Sequence, residues 1–182
     1  MKRILLAAIA VFCFATVGAA SDDDNTFHAK LRGLNETPGP VATQATGSFS
    51  ATLSADGTTL TYTLTYNNLN AQVTQAHIHF GFPKETGGIM VWLCQTAAVP
   101  APATDPGVPT CPDTKSGTVT GTITVANVVG PNGQGITPGV DFDKVIRAIR
   151  EHAAYANVHS TRSLGGEIRG VVEVGDGDGD DR

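Results

Sequence analysis

Between Phe27 and Val174 the apolar residues of this chain recur at every second position, and that period limits the fold more than any other feature. Phe49, Ala51 and Leu53 alternate with Ser and Thr, while Leu60, Tyr62, Leu64 and Tyr66 alternate with Thr61, Thr63 and Thr65. A pleated backbone sends successive side chains to opposite faces, so each run reads as a half-buried strand. Asp56-Gly57 lies between these two runs, and a tight hairpin turn needs the positive φ that glycine tolerates. The same alternation marks Phe27-Ala29-Leu31, Ile89 to Leu93, Val119-Gly121-Ile123-Val125 and Ile168 to Val174. One segment departs from it. Phe142, Val145, Ile146 and Ile149 follow an i, i+3, i+4, i+7 pattern behind the candidate cap Asp141, which predicts one short amphipathic helix ending near His152. Many short strands and a single helix predict an all-β fold, an antiparallel β-sandwich or partly open barrel.

The two ends follow other rules. Lys2 and Arg3 precede an apolar run from Ile4 to Ala15, and small residues Gly18, Ala19 and Ala20 follow it, so residues 1–20 read as a secretory signal peptide. That run is too short to cross a bilayer, and no second apolar stretch of about 20 residues follows; the mature chain is expected to lack a transmembrane segment. Phe12, not a small residue, precedes Cys13, which argues against a lipid anchor. Residues 21–26 are acidic, residues 175–182 are acidic and Gly-rich, and neither offers anything apolar to bury, so both are expected to be flexible ends around a domain spanning 27–174.

Composition enters through charge and cysteine. The 182-residue chain carries 12 Lys plus Arg against 17 Asp plus Glu, a formal charge of -5; removing Lys2 and Arg3 with the leader leaves 10 against 17, or -7. An acidic chain without a basic patch excludes a nucleic-acid partner. Of the 3 cysteines, Cys13 leaves with the leader. Cys94 and Cys111 remain in a chain bound for an oxidising compartment, and a structural disulfide is the expected pairing. It would close the Pro/Ala-rich, aperiodic loop 95–110, constraining the unfolded chain by about 3 kcal/mol.

Three of the 5 histidines fall in strand-like contexts: Ala76-His77-Ile78-His79-Phe80 and Asn157-Val158-His159. Ala76, Ile78 and Phe80 claim the core, so His77 and His79 share the other face, either open to solvent or beneath a covering loop. By the same reasoning Asn157 and His159 lie opposite Ala156 and Val158. If the two strands are neighbours, three imidazoles converge, and three neutral imidazoles plus water make a site for zinc or copper. Hydrogen bonding to carbonyls, hydroxyls or Glu167 is the alternative use of the same rings. Asn157 and Glu167 are candidate outer partners of such a site, and His28 and His152 are read as solvated. No Gly-x-Ser-x-Gly elbow, Walker loop, dinucleotide fingerprint or His-Glu-x-x-His helix is present, and no carboxylate pair stands out as catalytic.

Taken in order, Phe27-His28-Ala29-Lys30-Leu31 with Gly33, Asn35-Glu36 and Pro38, then Ala45-Thr46-Gly47, Leu60 to Leu64, Ala76-His77-Ile78-His79, Val145 to Arg150, Tyr155 to Ser160 and Gly165-Gly166-Glu167-Ile168-Arg169-Gly170 resemble the CHRD domain, the module repeated in chordin. The resemblance implies an extracellular, immunoglobulin-like all-β module with no established enzymatic activity. His77-Ile78-His79-Phe80-Gly81 and Val158-His159 are in addition similar to the copper-binding strands of copper-zinc superoxide dismutases. The bridging histidine, zinc loop and arginine gate of those enzymes have no counterpart in this sequence, so that second likeness implies a copper or zinc site and not turnover. The leading expectation is therefore a secreted, extracellular, periplasmic or envelope protein, non-enzymatic, binding an unidentified extracellular ligand or surface. The alternative is a copper- or zinc-binding protein using His77, His79 and His159.

Overall fold

The computed structural model describes residues 22–112, 114–175 and 177; the segment 1–20 expected to be a signal peptide and most of the acidic tail lie outside the described residues. Among these residues the strands are β1 (Thr26–Arg32), β2 (Thr46–Leu53), β3 (Leu60–Asn67), β4 (Val73–Phe80), β5 (Gly88–Cys94), β6 (Gly117–Ile123), β7 (Ala154–Ser160), β8 (Ile168–Val171) and β9 (Glu173–Val174). One α-helix, α1 (Phe142–Arg150), precedes β7. The strands form a single sheet in the order β5-β4-β7-β8-β1-β2-β3-β6, with β9 added to β1, and the named strands pair antiparallel throughout.

Hairpins account for most of that order. β2 and β3 pair from Thr46↔Asn67 to Leu53↔Leu60 around the turn at Asp56-Gly57, where Gly57 adopts φ 71°. The continuous path around the sheet selects a nearly closed barrel over two separate layers. Its seam lies between β5 and β6, where Tyr62 Oη donates to Leu93 O at 2.5 Å and the Cys94–Cys111 disulfide ties the end of β5 to the chain before β6. The inward set is the apolar half of each alternating run: Phe27, Leu31, Phe49, Leu60, Leu64, Ile78, Leu93 and Val158 are all buried. Helix α1 contributes Phe142, Val145, Ile146 and Ile149 to the same core, the stripe its sequence spacing placed on one face.

Three local features differ from expectation. The β6 run ends at Ile123, and Val125 instead begins a 3-10 turn, Val125–Asn127. The run Ile168 to Val174 divides at the buried Val172, whose N–H donates to Ala154 O, so β8 pairs with β7 and β1 while β9 returns to β1. Asp141 does not cap the helix amides with its side chain; its Oδ2 accepts from Thr137 N (2.7 Å) and Lys144 Nζ (2.8 Å), which fastens the preceding turn. Asp22–Asn25 form a 3-10 turn, with Arg150 Nη2 donating to Asp24 O (3.4 Å) and Asn25 Oδ1 (3.2 Å).

Candidate metal centre

The site starts from strand neighbourhood. β4 and β7 are adjacent and antiparallel, with Gln75↔His159, His77↔Asn157 and His79↔Tyr155 in register. Paired residues point to the same face, so His77 and His79 from β4 meet His159 from β7, diagonal to His77. One ring nitrogen from each of the three histidines lies within 4.8 Å of the other two. Three points so spaced all fall within about 2.8 Å of a common centre, close to the bond lengths of 2.0 to 2.1 Å by which imidazole holds zinc.

This face is covered. Every residue of β7 is buried; His77 is 1% and His159 6% exposed, and His79 is half-buried with its Nε2 enclosed. Three loops account for the cover. Glu36 Oε1 accepts from Asn157 Nδ2 at 2.7 Å, Gly87 O accepts from His79 Nδ1 at 3.0 Å, and Leu164 O accepts from His159 Nδ1 at 3.0 Å. Of the two alternatives left open by strand alternation, the histidines lie beneath loops.

Those two carbonyls also decide tautomers. A carbonyl only accepts, so Nδ1 of His79 and of His159 carries the hydrogen and each Nε2 keeps its lone pair. This is the outer-partner arrangement that orients histidine ligands in metal sites. His77 Nδ1 stands 3.2 Å from His159 Nε2. That separation suits a hydrogen bond, and it is also near the roughly 3.4 Å edge of a tetrahedron built on bonds of about 2.0 to 2.1 Å. Nε2 of His77 and Nε2 of His79 are buried without a hydrogen-bond partner, in a class of atom that rarely goes unsatisfied.

Burial keeps the rings neutral. Loss of solvent, followed by the neighbouring imidazoles His159 and His79, pushes His77 down to about 2. Loss of solvent likewise takes His79 to about 4, against the opposing pull of the Gly87 carbonyl, and it lowers His159. Neutral imidazole is the metal-binding form.

The aromatic surround was not read from the sequence. Trp92 on β5 packs edge-on against His77 with ring centres 4.2 Å apart, and Tyr155 stacks on His79 at 4.8 Å with planes 1° apart. Arg169 places its guanidinium carbon 3.6 Å from the centre of the Tyr155 ring. An arginine does therefore lie beside the cluster, though no arginine gate was expected. It is not open to the centre, because β7 runs between β4 and β8 and the Tyr155 ring stands between guanidinium and imidazole. Period two from His159 would have placed Asn157 and Tyr155 together on this face; the partners from β5 and β8 carry no such local signal.

Asn157 and Glu167 do not bond to the rings. Asn157 Nδ2 donates to Glu36 Oε1 and to Ile168 O, while Glu167, fully buried, accepts from Thr43 Oγ1 (2.9 Å), Asn70 N (2.6 Å) and Ser160 Oγ (2.5 Å). Backbone carbonyls, named beside Glu167 as possible partners, are the groups that bond to His79 and His159. His28 is also not free, since its Nδ1 bonds to Gly175 O at 3.1 Å and its Nε2 lies 3.7 Å from Glu173 Oε2; His152 is exposed.

Fold and site together define a small all-β barrel module with one cystine and a buried histidine cluster on its β4–β7 pair. The model of the CHRD domain matches residues 27–172, and the chain belongs to that family. No curated protein matches it. Among the described residues, no helix is long and apolar enough to cross a membrane.

Proposed function

We propose that this CHRD-family protein is a secreted or envelope metal-binding protein, non-enzymatic, which holds one copper or zinc ion through His77 Nδ1, His79 Nε2 and His159 Nε2. The observation that carries the reading is the convergence of three neutral ring nitrogens within 4.8 Å, two of them oriented by backbone carbonyls. Hydrogen bonding alone accounts for the cluster less well, because it leaves the enclosed His79 Nε2 without a partner, which a bound ion would supply. The leader-like segment 1–20 and the cystine support an oxidising, extracytoplasmic destination. The second reading, an extracellular ligand- or surface-binding module, has its own observation. A polar cleft of about 490 Å³ opens beside Glu36, Lys84, Arg169 and Glu173.

The protein contains a single tryptophan, and it touches His77, so its fluorescence reports directly on the centre. Titration of the purified metal-free chain with copper or zinc should change Trp92 emission and saturate near one ion per chain. Substituting His77→Ala with His79→Ala should abolish both effects. Fewer than about 0.1 ion per chain at saturating copper and zinc overturns the metal reading, since three converging imidazoles bind far better than that. That result would return the protein to the ligand-binding reading.

A further inference from the structure

The charge around the three rings favours one ionic state of the metal. Among the described residues the cluster contains imidazoles alone; no Asp, Glu or Cys joins it to offset a cation's charge. The two nearby buried acids are engaged elsewhere. Glu167 is held by Thr43, Asn70 and Ser160, and Ser160 alternates with His159 on β7, which puts that carboxylate beneath the opposite face. Glu36 is turned to Asn157. The charged side chain that does act on the rings is a cation. Arg169, stacked on Tyr155 as Tyr155 stacks on His79, disfavours added positive charge at His79, and no carboxylate acts on any of the three rings.

The cost of bringing an ion out of water grows as the square of its charge, so a divalent ion in the same enclosure costs about four times what a monovalent one does. A divalent ion can lower its net charge by ionising a bound water, but that requires room for the water and its hydroxide in a centre where His77 and His159 are almost wholly enclosed. Three neutral nitrogens within 4.8 Å of one another need no such anion for a monovalent ion.

We infer that the three-histidine centre, on the reading that it is a metal site, selects monovalent copper over divalent copper and over zinc. The arrangement of three uncharged donors, no carboxylate and a guanidinium behind one ligand ring lowers the affinity for a divalent ion more than for a monovalent one.

The test uses the full chain, loaded anaerobically, with affinities for Cu(I), Cu(II) and Zn(II) set by competition with chromophoric chelators. Cu(I) should bind at least about 100-fold more tightly than either divalent ion. Two variants alter the charge without removing a ligand. Arg169→Gln takes away the guanidinium charge. Gln75→Glu adds a carboxylate at a half-buried position in register with His159. Each should narrow the Cu(I) to Cu(II) ratio by about tenfold, and Gln75→Glu alone decides the matter if Arg169→Gln does not fold. Divalent copper or zinc bound as tightly as Cu(I), or a ratio unmoved in the folded variants, overturns the selectivity and leaves the metal site standing. Failure to bind any of the three ions removes the site itself, and the selectivity with it.

Discussion

At the scale of single residues, the centre depends on side chains that share burial and differ in the sign of their response to protons. His77 and His79 are lowered from 6.5 to about 2 and about 4, and His159 is lowered as well. In metal-free protein the unfolded chain therefore takes up protons first as the pH drops. The stability linked to these rings is present above about 6.5 and is lost as the pH falls, completely for His79 near 4 and further down for His77. Glu36 opposes this. Its carboxyl is raised by burial from 4.5 to about 7, so its contribution is full below 4.5 and is lost as the pH rises through 7. His77 and His79 against one carboxyl leave a net loss on the order of 1 kcal/mol per pH unit between 6.5 and 4.5, and His159 adds to it in the same direction. Urea midpoints measured from pH 7.5 to 4.5 should fall steadily, and a flat or rising midpoint would mean the rings are not buried neutral. The identity of the three rings was legible in the sequence because period two put His77 with His79 and Asn157 with His159. The pairing of Arg169, Tyr155 and His79 was not, since it joins three strands and the sequence orders only neighbours along one.

At the scale of elements, the β4–β5 connection positions His79. A Cβ on Gly87 would stand 1.6 Å from Phe80 O, so no side chain fits there without displacing backbone, and Gly87 supplies the carbonyl that His79 Nδ1 bonds. Gly87→Ala should therefore move that carbonyl, lowering metal affinity by about 10-fold or more while the remote β2–β3 hairpin stays intact. Unchanged affinity in the Trp92 titration would show that the loop carbonyl does not orient the ligand. Gly88 begins β5, and the turn of this connection lies earlier, at Pro83-Lys84. That the connection passes over a histidine follows from where β5 docks, which local composition does not encode. The helix was legible for the opposite reason: its stripe at i, i+3, i+4 and i+7 is a property of nine consecutive residues, Phe142–Arg150.

At the scale of the whole molecule, one sheet runs from β5 round to β6, and the Cys94–Cys111 disulfide spans its open seam. The intervening loop is packed as well as closed. Asn127 Nδ2 donates to Asp105 Oδ1 (2.9 Å) and Pro106 O (2.8 Å), and Thr96 Oγ1 donates to Thr74 O (2.8 Å). Replacing both cysteines by serine should cost about 3 kcal/mol in chemical denaturation, from chain entropy restored to the unfolded state. A loss well under 1 kcal/mol would mean that the loop contacts hold the seam without the cross-link. The sequence by itself determined which segments are strands, which face of each is apolar and where the helix falls, because alternation, turn residues and composition act over a few neighbouring positions. Only the tertiary structure decided that a single sheet curls into a nearly closed barrel, that β4 lies beside β7, and that loops from three parts of the chain cover the histidines. Those outcomes depend on contacts between residues up to 147 positions apart, such as His28 with Gly175, and no local pattern carries them.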